Sequence, residues 1–144
     1  MKPPERGEGN DMTRMAKSVV PVTGMARPKG VWSTVTTASP GTLVFVSGLL
    51  AKDESGEIVG DGDISAQTER VCLNLAQALS CAGASLDDVV RVDVYVKDIS
   101  RFKEIHAVRA RHFRKDPPAS TMVEIREFTD RRALIEMNAI AVLP

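Results

Sequence analysis

The acidic residue at position 136 has the surroundings expected of a catalytic carboxylate. Glu136 falls between Leu134 and Asn138, on a row of alternating residues that is otherwise mostly apolar. A carboxylate in such a row is costly unless it has a charged partner or a chemical task, and a general base that activates water is such a task. The alternative is structural: a salt bridge to Arg131, Arg132 or a neighbouring chain.

The histidines and cysteines do not form a pattern that binds metal or attacks a substrate. His106 and His112 lack the i, i+4 spacing that brings two imidazoles to one helix face. Cys72 and Cys81 fall on one predicted helix, where their separation spans roughly 13 Å, too far for a disulfide. We therefore expect no metal site and no internal disulfide, and interpret both cysteines as small core residues. His112 is interpreted as a surface residue, and His106 as either a surface residue or a pocket residue.

The balance of charge argues against two classes of partner, nucleic acids and anionic membranes. Among 144 residues, 19 Lys and Arg match 19 Asp and Glu, so the formal net charge is zero. Binders of nucleic acid or anionic membranes depend on excess cations, and the few aromatic residues form no strip interleaved with basic ones. No apolar run approaches a membrane span, and the N-terminus has no signal-peptide core. We expect a cytoplasmic protein with no membrane or nucleic-acid partner.

The candidate residues lie on a succession of predicted strands and helices. Residues 1–17, rich in Gly, Pro and charge, are predicted to be a flexible extension, and 18–144 a single α+β domain. β-Branched runs predict strands, and apolar residues at helical spacing between a cap and a Gly or Pro stop predict helices. The predicted strands are 31–37, 42–47, 57–59, 88–96, 121–127 and 133–142. The predicted helices run from Asp63 or Ser65 to Gly83, and from Ser100 to Arg114.

Apolar positions in these elements predict the core. The run over 42–47 is apolar enough to be buried on both faces of a sheet. Alternation in the strand over 88–96 predicts a buried row of Val90, Val92, Val94 and Val96. Helical spacing predicts that the second helix buries Phe102, Ile105, Val108 and Phe113.

The last predicted strand is apolar on both sides, which indicates an assembly. One row is formed by Ala133, Ile135, Met137, Ala139 and Ala141. The opposite row is formed by Leu134, Glu136, Asn138, Ile140 and Val142. A solvated sheet face should be polar, and two helices on one face leave the other uncovered. We therefore expect a homo-oligomer packed sheet against sheet, with Glu136 and Asn138 near a subunit boundary.

Several motifs, in order, resemble those of the YjgF/Rid family, also called the endoribonuclease L-PSP family. The resemblance covers roughly residues 30–142 and rests on their joint order and spacing. The motifs are Leu43-Val-Phe-Val-Ser-Gly48, Gly56-Glu-Ile-Val59, Asp63-Ile-Ser-Ala-Gln-Thr68, Asn74-Leu75, Ala82-Gly-Ala-Ser-Leu-Asp-Asp-Val-Val90, Val96-Lys-Asp98 and Ile135-Glu-Met-Asn-Ala-Ile-Ala-Val142.

The resemblance implies a fold, an assembly and an activity. The fold is chorismate-mutase-like, with a mixed sheet and two helices on one face. Three protomers would associate through their sheets as a central barrel, with small-molecule pockets in the clefts between subunits. The activity is hydrolysis of reactive enamines or imines, such as 2-aminoacrylate, to a keto acid and ammonia, with no cofactor.

The pocket of the family transfers to this chain with one major change. Its deaminating members hold the substrate carboxylate with an arginine after a Pro-Ala pair, but Pro118-Ala119 is followed by Ser120. A serine has one neutral hydroxyl where arginine offers a bidentate cation. Glu136 matches the glutamate that positions the attacking water. The other pocket positions implied by the resemblance are Trp32 for an aromatic residue, Leu49 for a glutamine, His106 for an asparagine and Met122 for a cysteine; Asn138 joins them as a binding candidate beside Glu136.

These residues leave several functional hypotheses open. The leading one is an enamine/imine deaminase whose substrate differs from 2-aminoacrylate. Its alternative is a non-catalytic trimer that binds a metabolite or regulates; a ribonuclease is disfavoured by the zero net charge. Ser120 is either a ligand contact or a turn residue, and Trp32 either a ligand contact or a packing residue. The basic run Arg109, Arg111, Arg114 and Lys115 is interpreted as a solvated helix face, or as the source of a replacement arginine.

Overall fold

A computed structural model describes residues 16–144. Of the extension predicted over 1–17, only Ala16 and Lys17 lie within this range; both are buried, and Lys17 begins a strand. None of the helices in the described range is long and apolar enough to cross a membrane. The strands are β1 Lys17–Val20, β2 Val35–Ala38, β3 Thr42–Leu50, β4 Val89–Val96, β5 Ala119–Glu124 and β6 Ile135–Leu143, and the α-helices are α1 Ile64–Cys81 and α2 Phe102–His112.

The main sheet is mixed, as predicted. Its strand order is β3-β6-β4-β5, with β4 and β5 parallel and the other pairs antiparallel. Strands β1 and β2 form a separate antiparallel pair. Both helices contribute to one core with the inner face of the main sheet. The predicted α+β class with two helices on one sheet face is confirmed.

Helix α1 begins and ends at the predicted signals. The Asp63 side chain accepts a hydrogen bond from Ala66 N at 3.0 Å, which satisfies one of the free N–H groups of the first turn. Gly83, with φ 77°, follows the helix in a left-handed conformation that a residue with a Cβ rarely adopts. Val71, Leu75 and Leu79 are fully buried against the sheet.

The prediction for β4 is wrong at its first valine. Val89, rather than Val90, is fully buried, together with Val92, Val94 and Val96. The register shifts where Val89 pairs with Ala141 and Arg91 with Ile140, so one residue is extra in β4. This β-bulge at Val90 interrupts the alternation, and its cause lies in pairing that the sequence of one strand does not contain.

The first predicted strands also differ from the structure. Only residues 35–38 of the region around the predicted strand 31–37 pair as a strand, because Ser33 instead donates to Pro117 O and Pro118 O and ties its segment to the start of β5. Strand β3 is an edge strand and is partly buried on one face only. Phe45 is 70% exposed and Leu43 is 55% exposed, so the burial predicted on both faces does not occur within the described chain.

Candidate functional site

Glu136 lies on the outer face of the main sheet, the face that neither helix covers. Its neighbours Ile135 and Met137 point into the core and are fully buried, whereas Glu136 is half-buried. In register, Glu136 lies between Leu50 of β3 and Tyr95 of β4. A methyl group added at Gly48 would overlap Glu136 Oε1, so the carboxylate packs against bare backbone.

A groove of about 930 Å³ opens beside this carboxylate, between the end of β3 and α1. The side-chain amide of Asn74 fixes its rim by donating to Leu50 O at 3.1 Å and Lys52 O at 2.9 Å. Glu136 and Leu49 both line the groove, as does Arg70 of α1. The groove is therefore large enough for a small organic molecule and carries charge of both signs.

The Glu136 carboxylate makes no ion pair among residues 16–144. Arg132, the partner proposed as an alternative, is bound to Asp130 and to Glu57 at 2.9 Å each. Arg131 likewise pairs with no acid in the described part of the chain. A carboxylate that is in no ion pair and is open to a groove can accept a proton from a bound water.

A second cluster surrounds Arg109, on the helix side of the sheet. Arg109 is 1% exposed, so its interpretation as part of a solvated basic run is wrong. One terminal nitrogen donates to Ser120 Oγ at 3.0 Å and to Val31 O at 3.3 Å, and the guanidinium carbon lies 5.8 Å from the Phe113 ring centre. Burial lowers the pKa of Arg109 to about 10, so the side chain remains a cation at neutral pH.

His106 lies one turn before Arg109, with the Gly30–Trp32 segment against it. A methyl group at Gly30 would clash with His106 Nε2 and come within 3.3 Å of Trp32 Cδ1. Burial lowers the pKa of His106, and the charge of Arg109 lowers it further. His106 Nδ1 is buried and has no hydrogen-bond partner among the described residues.

The predicted site residues fall into two groups on opposite faces of the sheet. Ser120 and Met122 pair in register with the buried Val92 and Val94, so they share the helix side with His106, Trp32 and Arg109. On the outer face, Asn138 lines a hollow of about 160 Å³ with Phe45 and Asp93, and its Oδ1 is buried without a partner in the described chain. Glu136 shares that outer face. Leu49 packs partly against the core and also lines the groove.

The two cysteines lie apart from these groups. Cys72 is fully buried in α1, and burial raises the pKa of its thiol to about 12, which suppresses the nucleophilic thiolate. Cys81, expected to be a core residue, is exposed at the end of α1. No cluster of three or more His, Cys, Asp or Glu residues suited to a metal ion occurs between residues 16 and 144.

Comparison with known proteins identifies the family. The sequence profile described as Endoribonuclease L-PSP matches residues 24–143. The chain belongs to the YjgF/Rid family. A RutC family protein of Pyrococcus abyssi is 41% identical to this Rid protein over 128 residues, which cover 88% of this chain and 98% of the relative. The resemblance inferred from the sequence motifs is confirmed.

Two further relatives of this Rid protein carry more specific descriptions. The 3-aminoacrylate deaminase RutC of Acinetobacter baylyi is 32% identical over 127 residues, covering 88% of this chain and 98% of that enzyme. The crystal structure of YyfB from Yersinia pestis, a Rid-family protein described as of unknown function, superposes with a TM-score of 0.84 at 30% identity. That match covers 90% of this chain and 100% of YyfB.

Sequence reasoning missed the burial of Arg109 in this Rid protein. The signal was present: Arg109 is four residues after Ile105 and next to Val108, both buried, so helical spacing places it on the buried side of α2. Phe102, which helical spacing predicted to be buried, is 44% exposed. The neighbouring cations Arg111 and Arg114 are exposed, and they made the whole run look solvated.

Proposed function

We propose that this Rid protein is an enamine/imine deaminase, with Glu136 as the general base and a substrate other than 2-aminoacrylate. The observation that carries the proposal is the Glu136 carboxylate, which faces a groove and has no cationic partner among residues 16–144. The relative described as 3-aminoacrylate deaminase RutC supports the same chemistry.

The proposed reaction needs one water and no redox partner. An enamine first takes a proton from solvent on carbon and becomes an iminium ion. Glu136 removes a proton from water as its oxygen bonds to the iminium carbon, which gives a neutral carbinolamine. Glu136 returns that proton to nitrogen, the C–N bond breaks and ammonia leaves, and the hydroxyl group gives its own proton back to Glu136, so that a carbonyl remains. A positioned general base of this kind contributes about 100-fold or more to the rate.

The site is proposed to form between subunits of a cytoplasmic homotrimer. Leu43 and Phe45 leave apolar surface exposed on the outer face, the face that also carries Glu136, and Phe45 lines a hollow with Asn138. Burying that face against a second copy would remove it from water. Such packing could also bring the Ser120 group of one copy to the Glu136 groove of the next, which one copy alone cannot do across its own sheet.

The test compares Glu136→Gln with Glu127→Gln. Imines are generated in situ from a panel of amino acids by an oxidase, and ammonia release is followed. We expect Glu136→Gln to lose about 100-fold or more in kcat with an unchanged oligomeric state, because the amide cannot take a proton from water. Glu127 is exposed and paired with Lys97, so its variant should match the wild type.

Two results would overturn the proposal. Equal turnover by Glu136→Gln and the wild type would show that Glu136 is not the general base. No acceleration of any imine by the wild type, together with binding of a metabolite, would favour the alternative of a non-catalytic binding or regulatory trimer.

A further inference from the structure

We propose that Arg109 of α2 binds the anionic group of the ligand, in place of the arginine that deaminating members of the family carry where this chain has Ser120. The inference rests on the proposed function for its chemistry, since it assigns a carboxylate to the enamine or imine substrate. It makes Arg109 a specificity-determining residue supplied by a helix instead of by strand β5.

The Arg109 guanidinium is a buried cation without an anion in the described part of the chain. Arg109 is 1% exposed, yet no carboxylate of residues 16–144 lies within ion-pair distance of it. Its Nε–H is buried and has no acceptor in the described structure. A charge held out of water without a partner is unfavourable, and a bound anion would relieve that cost.

The guanidinium of Arg109 lies beside the residue that replaces the family's arginine. It donates to Ser120 Oγ at 3.0 Å, so the side chain at the position of that arginine holds the substitute. Arg109 thus places a guanidinium next to position 120, but from α2, which is another direction than an arginine at position 120 itself would take.

One of the two hydrogen bonds of Arg109 is weak enough for a ligand to replace it. The bond from Arg109 to Val31 O is 3.3 Å long and uses a neutral acceptor. A carboxylate would form shorter, charge-assisted bonds with the same nitrogen and with the free Nε–H. Val31 and Trp32 belong to the irregular segment before β2, so the ligand would enter where this segment covers Arg109.

We therefore expect the ligand to be a small carboxylic acid in which a short carbon chain separates the imine carbon from the carboxylate. Because the guanidinium comes from α2, the carboxylate would sit elsewhere relative to Glu136 than it does with a strand arginine. This shift gives a physical reason for a substrate other than 2-aminoacrylate.

The test measures binding without turnover, by calorimetry with levulinate, a carboxylate with a ketone at the end of a two-carbon chain, and its neutral methyl ester as probes. We expect the wild type to prefer the acid, and Arg109→Gln to bind the acid about 10-fold to 100-fold more weakly with little change for the ester. Arg111→Gln is the matched control, since Arg111 is an exposed arginine of the same helix paired with Glu69. It should behave as the wild type.

Moving the charge keeps the test decisive if Arg109→Gln is poorly folded. The double variant Arg109→Ser with Ser120→Arg should recover the preference for the acid. A wild type that binds acid and ester equally would overturn the inference, as would loss of the preference in Arg70→Gln but not in Arg109→Gln. Acid binding through Arg109 with no ammonia released from any imine would refute the proposed function and leave this inference standing.

Discussion

The carboxylate of Glu136 owes its position to a residue with no side chain. Gly48 lies in the part of β3 where the register with β6 shifts between Val46 and Leu49. Its backbone leaves the space that Glu136 Oε1 occupies. Any larger residue at position 48 must push the carboxylate away from the strand, even though Gly48 is exposed and lies outside the core.

Gly48→Ala should therefore impair catalysis more than stability. We expect kcat to fall by about 100-fold, the cost of an ångström-scale misplacement of a catalytic group, with little change in the unfolding midpoint. The measurement is a double-mutant cycle with Glu136→Gln. Adding Gly48→Ala to Glu136→Gln should cost almost nothing further, because the displaced group is already inactive. Independent, additive losses would contradict the coupling.

Single residues differ in how far a sequence can place them. Glu136 could be chosen from the sequence as a candidate catalytic residue because its charge interrupts an apolar row. In the structure it lies beside a groove. The environment of Arg109 could not be selected in the same way. Helical spacing indicates that Arg109 is buried, but its hydrogen-bond partners Ser120 and Val31 are distant in sequence and meet it only after β5 and the segment before β2 fold against α2.

At the scale of elements, local signals predicted the helices better than the strands. Helix α1 carries its cap at Asp63 and its stop at Gly83 within the chain itself. Strand pairing is set by partners instead. Strand β1 pairs with β2 and begins at the last residue of the predicted extension, and the bulge at Val90 exists only because β4 pairs with β6.

The cap of α1 provides a test at this scale. Asp63→Ala removes the oxygen that accepts from Ala66 N, so we expect the free energy of unfolding to fall by about 1 kcal/mol. Chemical denaturation measures the change. Asp61→Ala, two residues earlier at an exposed position that caps no helix, is the control and should leave stability within experimental error. A loss of equal size in both variants would show that charge, not capping, matters.

At the scale of the whole molecule, the outer face of the sheet leaves large apolar residues of the protomer exposed to water. The family and its fold were predictable from ordered motifs and are confirmed. The proposed trimer extends that result. It depends on the apolar residues of β3, which one chain leaves in water, and on the two polar side chains of β6 beside them.

Phe45→Glu should prevent the proposed assembly, because it would place a charge in the centre of the subunit contact. We expect a folded monomer in sedimentation velocity and the loss of deaminase activity. Ile99→Glu, at another exposed apolar position away from the sheet face, should remain assembled and active. A wild type that sediments as a monomer at all concentrations, yet is fully active, would rule out a shared cleft.

The separation of Glu136 and Arg109 by the thickness of one sheet also has a genetic consequence. If each cleft takes Glu136 from one copy and Arg109 from the next, a mutation at either position removes only one of the two groups from a cleft. A cell with one allele altered at Glu136 and another altered at Arg109 would form mixed trimers in which some clefts contain both unaltered residues. Two alleles that each fail alone would then complement each other.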